Sequence, residues 1–159
     1  MDSKNEQVRH KPIAAWKFRL LMNFYPPFLG AGVRVSYLSA DYRDITVTLT
    51  QRWYNTNYVG SLFGGAMYLM SDPFYMLILL RNLGEQYIVW DKAASIDFKK
   101  PGHGTLTAIF KFSDEELQAI RNQADQNEKY VFDKPVDLID QQGVVVATVV
   151  KTLYVRRKK

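Results

Sequence analysis

Cysteine is absent from the 159-residue chain, and that one absence excludes disulfides, thiolate metal sites and cysteine nucleophiles together. Histidine is scarce. His10 and His103 are the only two, too few and too far apart in sequence to suggest a zinc centre, so no metal is expected. Charge of one sign is short by little: 21 Lys and Arg against 16 Asp and Glu give a formal +5. Basic residues are spread along the chain except for a closing Arg156-Arg157-Lys158-Lys159, which reads as a solvated end. A basic stripe interleaved with aromatics is also missing, so no nucleic-acid partner is expected. The opening MDSKNEQVRHKP lacks the apolar core of a signal peptide, and a cytoplasmic location is the expectation. Only one apolar stretch, 62–80, reaches the 19 residues of a minimal membrane span. An Asp at its centre costs about 3 kcal/mol on insertion, so no membrane partner is expected.

What remains is an ordinary globular composition, 47% apolar and 23% charged. A chain of this length buries roughly 70% of its unfolded surface. No repeat, low-complexity stretch or long linker divides it. Residues 1–159 are read as one domain, a helical N-terminal extension over 1–29 followed by a core over 30–157.

The chain is organised around NYVGSLFGGAMYLMSDPFYMLILLRNLG, residues 57–84. From Gly64 to Leu83 the run is apolar on nearly every side, the pattern of a buried helix about 30 Å long. Asp72 lies near its middle. A buried carboxylate must be neutralised, paired or used, and burial is expected to raise its pKa. Pro73 removes a helical donor and leaves the Leu69 carbonyl without one, which predicts a kink that tilts Asp72 toward a cleft.

Around this helix the periodicity predicts six strands and two peripheral helices. A first helix over 12–24 places Ile13, Trp16, Leu20 and Phe24 on one face, read as packing on the core or lining an interface. Pro26-Pro27 ends it, and Gly30-Ala31-Gly32 leads into a strand at Val33–Ser39. A second strand at Ile45–Trp53 alternates Ile45, Val47 and Leu49 with threonines. Beyond the central helix a long strand runs Tyr87–Lys99, with Ile88, Trp90, Lys92, Ala94, Ile96 and Phe98 assigned to one face. A fourth strand spans Thr105–Phe112. Ser113 and Glu116 form a capping box for a polar surface helix reaching about Glu128. Strands Val131–Asp140 and Val144–Val155 close the chain. The fold class is therefore α+β, an antiparallel sheet of about six strands wrapped around one long buried helix.

These residues resemble the hotdog-fold acyl-CoA thioesterases of the phenylacetyl-CoA thioesterase type, and more closely an uncharacterised branch with a Gly-Ser-x-Phe-Gly-Gly and Asp-Pro pattern. The family carries Asn, then His-Gly-Gly six residues on, then Asp nine residues after the His. Here Asn57, Phe63-Gly64-Gly65 and Asp72 keep both spacings, and Ile96-Asp97-Phe98-Lys99-Lys100-Pro101-Gly102 resembles the family's strand after the helix. The resemblance spans about residues 30–157. It implies thioester hydrolysis with Asp72 as general base or nucleophile, the Gly64 N–H as oxyanion donor, and Asn57 orienting water or carbonyl. Gly65, Phe63 and Asp91 are candidate substrate contacts beside them, Lys92 joins them as a lone cation on an otherwise apolar strand face, and Lys99, Lys100 and His103 are candidate contacts for coenzyme A phosphates. Coenzyme A enters only as part of an acyl-CoA or acyl-thioester substrate, so no cofactor is expected. A homodimer or homotetramer is expected, because hotdog clefts lie between subunits and a single curled sheet leaves an edge.

Plainer readings stand beside each role. Asp72 is equally a structural acid tied to a donor such as Lys92. Gly64-Gly65 also suits close packing, Asn57 an ordinary turn, Lys99, Lys100 and His103 a solvated turn, and Met67, Met70 and Met76 adaptable core. Phe63 stands where the family has His, either as a volume filler or as the mark of a non-catalytic hotdog protein that binds acyl-CoA or another lipid. A dehydratase would need a helix His that is not there.

Overall fold

Alternation, caps and glycine turns set out the elements of the structure, a computed structural model that describes residues 13–158. Six strands form one antiparallel sheet: β1 (Val33–Leu38), β2 (Asp44–Thr50), β3 (Tyr87–Phe98), β4 (Thr105–Lys111), β5 (Tyr130–Ile139) and β6 (Val145–Arg157). Their spatial order is β1-β2-β4-β5-β6-β3, leaving β1 and β3 as the edges. The inward residues of β2, Ile45, Val47 and Leu49, are buried as their alternation predicts.

The central run is two helices rather than one. α3 (Gly64–Leu69) and α4 (Phe74–Leu83) are separated by Met70–Pro73, and the Asp72–Pro73 peptide is cis. Pro73 cannot donate to Leu69, and the Asp72 N–H takes that carbonyl instead at 3.1 Å. Ser71 doubles the stop, because its Oγ donates to the Tyr68 carbonyl at 2.7 Å. The expected interruption at Pro73 is therefore a complete break.

α4 buries Phe74, Tyr75, Ile78, Leu79 and Leu83 against the sheet. Phe74 and Tyr75 meet Phe110 at ring distances of 5.1 and 5.0 Å, and the Tyr75 hydroxyl donates to the Pro135 carbonyl at 2.7 Å. Truncating a fully buried Ile78 or Leu79 to Ala would cost about 2–5 kcal/mol. α5 (Asp114–Gln126) starts as its sequence predicts. The Glu116 N–H donates to Ser113 Oγ at 3.2 Å, and the Ser113 N–H donates to Glu116 Oε2 at 2.9 Å. Its Leu117, Ile120 and Ala124 form the buried stripe of an otherwise wet helix.

One N-terminal expectation needs correction and another is narrowed. The segment 26–31 is not a lead-in loop but a helix, α2 (Pro26–Ala31), with its prolines in the permitted first turn and Gly32 closing it at φ 78°. The first helix, α1 (Ala15–Asn23), buries no residue fully. Its Trp16, Leu20 and Phe24 face away from the core, while Phe18 and Met22 turn toward it. Periodicity identifies residues that share a face but not the direction of that face.

β2 ends at Thr50, short of the expected Trp53. Buried Asn55, within a 3-10 turn at Trp53–Asn55, diverts the chain. Its Nδ2 donates to the Thr50 and Ala31 carbonyls at 3.0 Å each, and its Oδ1 accepts the Arg52 N–H at 2.6 Å. Among the described residues no helix is long and apolar enough to cross a membrane.

Candidate active site

The acid singled out in the sequence lies in the gap between α3 and α4, where the chain leaves helical geometry. Its partner is not Lys92 but Lys151. Strand β6 sends Ala147, Val149, Lys151, Leu153 and Val155 into the core, so Lys151 occupies a position that alternation reserves for an apolar side chain. It is 1% exposed. Its Nζ donates to Asp72 Oδ1 at 2.8 Å, lies 3.0 Å from Asp91 Oδ2, and sits 5.6 Å from the centroid of the Tyr68 ring.

A β-bulge brings Asp91 to this cation. The β3–β6 register pairs Asp91 with Leu153 and Ala93 with Thr152, skipping Lys92. Before the bulge Tyr87, Val89 and Asp91 point inward; after it Ala94 and Ile96 do. The single shared face expected for Ile88 through Phe98 is thus split in two, and Lys92 is left exposed at the bulge. A bulge re-aims a side chain without changing the composition of a strand, so nothing in the alternation announced it.

The electrostatics follow from one buried ammonium between two carboxylates. Burial works to raise the Asp72 carboxyl, but the hydrogen bond from Lys151 and the adjoining Asp91 outweigh it and hold Asp72 below the ordinary aspartate value. The expectation of a raised Asp72 is therefore corrected. Asp91 carries the upward shift instead: its burial, and then the neighbouring Asp72, push it up to about 6. Lys151 Nζ approaches Asp91 off-line, so neither buried Asp91 oxygen accepts a well-directed hydrogen bond. The contact there is ionic rather than directional. Burial would lower Lys151, yet its two carboxylates raise it, and it stays a cation. Asp72 keeps 42% of its side chain open to solvent against 16% for Asp91. One acid is reachable and anionic; the other is enclosed and holds a proton more readily.

The start of α3 gathers a second group. Among the described residues the N–H groups of Gly64 and Gly65 have no hydrogen-bond partner, as expected of the first residues of a helix. A Cβ on Gly64 would stand 3.0 Å from the Phe98 ring, and one on Gly65 would stand 2.4 Å from the Phe63 ring. The two glycines therefore seat two half-exposed aromatic rings, and Phe63 lies over the helix start instead of filling an interior volume.

Asn57 is committed locally. Its Oδ1 accepts the Val59 and Ser61 N–H groups at 3.1 and 3.0 Å, and its Nδ2 donates to Ser61 Oγ at 2.9 Å. Lys99 pairs with Asp97, and Lys100 pairs with Asp140 at 2.6 Å. The structure thus joins Asp72 with Asp91, and Phe63 with Gly64 and Gly65, and leaves Lys92, Lys99 and Lys100 outside both groups. Lys151 escaped the sequence reading. Its signal was a lysine in phase with Val149, Leu153 and Val155.

Residues 14–155 match the model of a family described as a domain of unknown function, DUF4442. No curated protein sequence matches the chain. Among solved structures, PA5026 of Pseudomonas aeruginosa, described as a protein of unknown function and probable thioesterase, has a TM-score of 0.82 at 20% identity, covering 94% of this chain and 100% of its own. The thioesterase HI1161 of Haemophilus influenzae has a TM-score of 0.64 at 15% identity, with 92% and 93% covered. The PaaI protein of E. coli, from the phenylacetic acid degradation operon, has 0.59 at 19%, with 91% and 93% covered. The fold is the hotdog fold.

Proposed function

We propose that this chain, which belongs to the DUF4442 family and has the hotdog fold, hydrolyses acyl thioesters, with acyl-CoA as the substrate class. One observation carries the reading: Asp72 is held anionic by a buried lysine at a helix break while remaining open to solvent. A carboxylate with no task would be expected either to pair on the surface or to be replaced by an apolar residue, since a buried ion pair is weak support for stability.

In the proposed reaction Asp72 accepts a proton from water as the water oxygen bonds to the thioester carbonyl carbon. The tetrahedral oxyanion takes hydrogen bonds from the free N–H groups of Gly64 and Gly65. The C–S bond then breaks, the thiolate sulfur takes the proton back from Asp72, and a carboxylic acid and a free thiol leave. Lys151 positions Asp72 through Oδ1, leaving Oδ2 for the water. Asp91 holds the second face of Lys151 and keeps the cation from pairing with Asp72 alone.

Gly64 opens α3 and Asp72 lies beyond its far end at Leu69, and the five helical steps between Gly64 and Leu69 alone rise about 7.5 Å, too far for both groups to meet one carbonyl. The proposed site is therefore composite, with Asp72 of one copy facing Gly64 of another across a homodimer or a dimer within a homotetramer. Strand β3, which carries Asp91, lies at an edge of the sheet, the position at which the sheets of two copies would meet. Asn57 supports the turn before the oxyanion donors, and Phe63, beside Gly65, contacts the acyl chain. Phosphates of coenzyme A would reach Lys99 and Lys100 by displacing Asp97 and Asp140, and Lys92 is exposed at the bulge.

A panel of acyl-CoAs of increasing chain length, assayed for free thiol with the wild type and Asp72→Ala, tests the reading. Thiol release that depends on Asp72 supports it. No release at any chain length, with acyl-CoA still retained on the protein, assigns the chain to acyl binding without hydrolysis.

A further inference from the structure

Residues 7–40 contain Arg9, Lys11, Lys17, Arg19 and Arg34 and no Asp or Glu. Outside that segment the chain carries 16 basic and 16 acidic residues. The formal charge of +5 therefore equals that of residues 7–40, and the rest of the chain sums to zero. That segment includes α1 and α2, whose outward side is apolar.

α1 is fixed firmly on the sheet edge. Phe18 packs on Tyr42 with ring centroids 5.6 Å apart. Asn23 bonds both polar groups of the Val35 peptide, accepting its N–H at 2.7 Å and donating to its carbonyl at 3.1 Å. With that side engaged, the opposite side presents Trp16, Leu20 and Phe24 at i, i+4 and i+8, with Leu21 beside them and Tyr25 and Leu29 continuing across the turn into α2. Each is exposed by half or more. A contiguous apolar surface of this kind marks a contact surface.

Cations rim it. Lys17 stands over the Trp16 ring at 5.4 Å. A groove of about 210 Å³ between α1 and β1 is lined by Trp16, Arg19, Leu20 and Arg34, with Asn23, Val35 and Ser36 at its base. Two guanidinium groups beside an indole and a leucine suit a phosphodiester joined to hydrocarbon.

We propose that this face docks on an anionic membrane surface, α1 lying in the interface plane with its aromatic and leucine side chains in the upper acyl region and Lys17, Arg19 and Arg34 among the headgroup phosphates. Charge distinguishes this occupant from a second copy of the chain. In a two-fold contact the patch would meet itself, setting three cations against three with no acid to pair them. The expectation of no membrane partner rested on the lack of a span, and a face lying on the surface is a different contact. The inference is independent of thioester chemistry.

Co-sedimentation of the full chain with vesicles of phosphatidylcholine alone, and of phosphatidylcholine with phosphatidylglycerol, tests it. The expected result is binding to the anionic vesicles only, weakened by added salt. Leu20→Glu/Phe24→Glu and Lys17→Glu/Arg19→Glu should each reduce that binding by about tenfold or more, with circular dichroism and Tm unchanged. Equal binding to both vesicle types, or no binding, overturns the proposal. So does unaltered binding by Leu20→Glu/Phe24→Glu, or an oligomer in size-exclusion chromatography that this variant dissociates, which would assign the face to a protomer interface.

Discussion

Replacing Lys151 with Met removes a cation that is 1% exposed and leaves Asp72 and Asp91 facing one another. Methionine matches the length of the lysine stem, so the packing loss is small and the electrostatic loss dominates. Breaking a buried pair by removing one partner costs on the order of 3–5 kcal/mol. Asp72 is 42% exposed and recovers part of its hydration, so the low end, about 3 kcal/mol at pH 8, is expected. For a domain of this size that is a fall in Tm of about 6–12 °C. The loss should shrink with acid. Asp91 has its folded pKa raised to about 6 from an ordinary 3.8, so the folded state holds more protons than the unfolded state between those values. Stability from this group is fully present below about 4 and is lost as pH rises through 6. Without Lys151 the upper edge of that window moves higher still, because the cation that favoured ionised Asp91 has gone. Urea unfolding at pH 5 and pH 8 measures both ends: Lys151→Met should be weaker than wild type at both, because Asp72 is ionised and loses its partner at either pH, and weaker by a clearly larger margin at pH 8, where Asp91 is ionised as well. An equal loss at both pH values, or a loss below about 1 kcal/mol at pH 8, refutes the account of Lys151 as the charge that holds the two acids.

Asp91→Asn should flatten the wild-type fall in stability between pH 4 and 6 and remove any inflection near pH 6 from the rate profile, read by urea unfolding and by thiol release across that range. Ser113→Ala deletes one half of the capping box and should lower stability by about 1 kcal/mol in urea titration, with no effect on turnover. Gly64→Val should lower the rate without lowering Tm to match, because its side chain would push on the Phe98 ring and crowd the proposed oxyanion donors; a rate equal to wild type would remove Gly64 from the site.

Local signals carried most of the architecture. The alternation of Ile45, Val47 and Leu49 and the Ser113–Glu116 box each depend on neighbours a few residues away, and each is found where the sequence puts it. The proline break was legible too, though its completeness depended on the Asp72 N–H taking the Leu69 carbonyl. What escaped was set by distant partners. Lys92 is the donor that the sequence suggests for Asp72, but the bulge at 92 leaves it exposed, while Lys151, 79 residues from Asp72, supplies the charge. Asn55 ends β2 through bonds to Ala31 and Thr50 that no periodicity encodes. The outward turn of the Trp16, Leu20 and Phe24 stripe was hidden for the same reason, since an apolar stripe does not state what it meets.

The central claim is that Asp72, held anionic by Lys151, takes a proton from water during thioester hydrolysis. Measuring kcat for thiol release by wild type and Asp72→Asn on one acyl-CoA, with both proteins matched in circular dichroism and oligomeric state, tests it most directly. Loss of a general base predicts a fall of about 10² to 10⁴ in kcat, with KM little changed. An Asp72→Asn enzyme that releases thiol at the wild-type rate would contradict it.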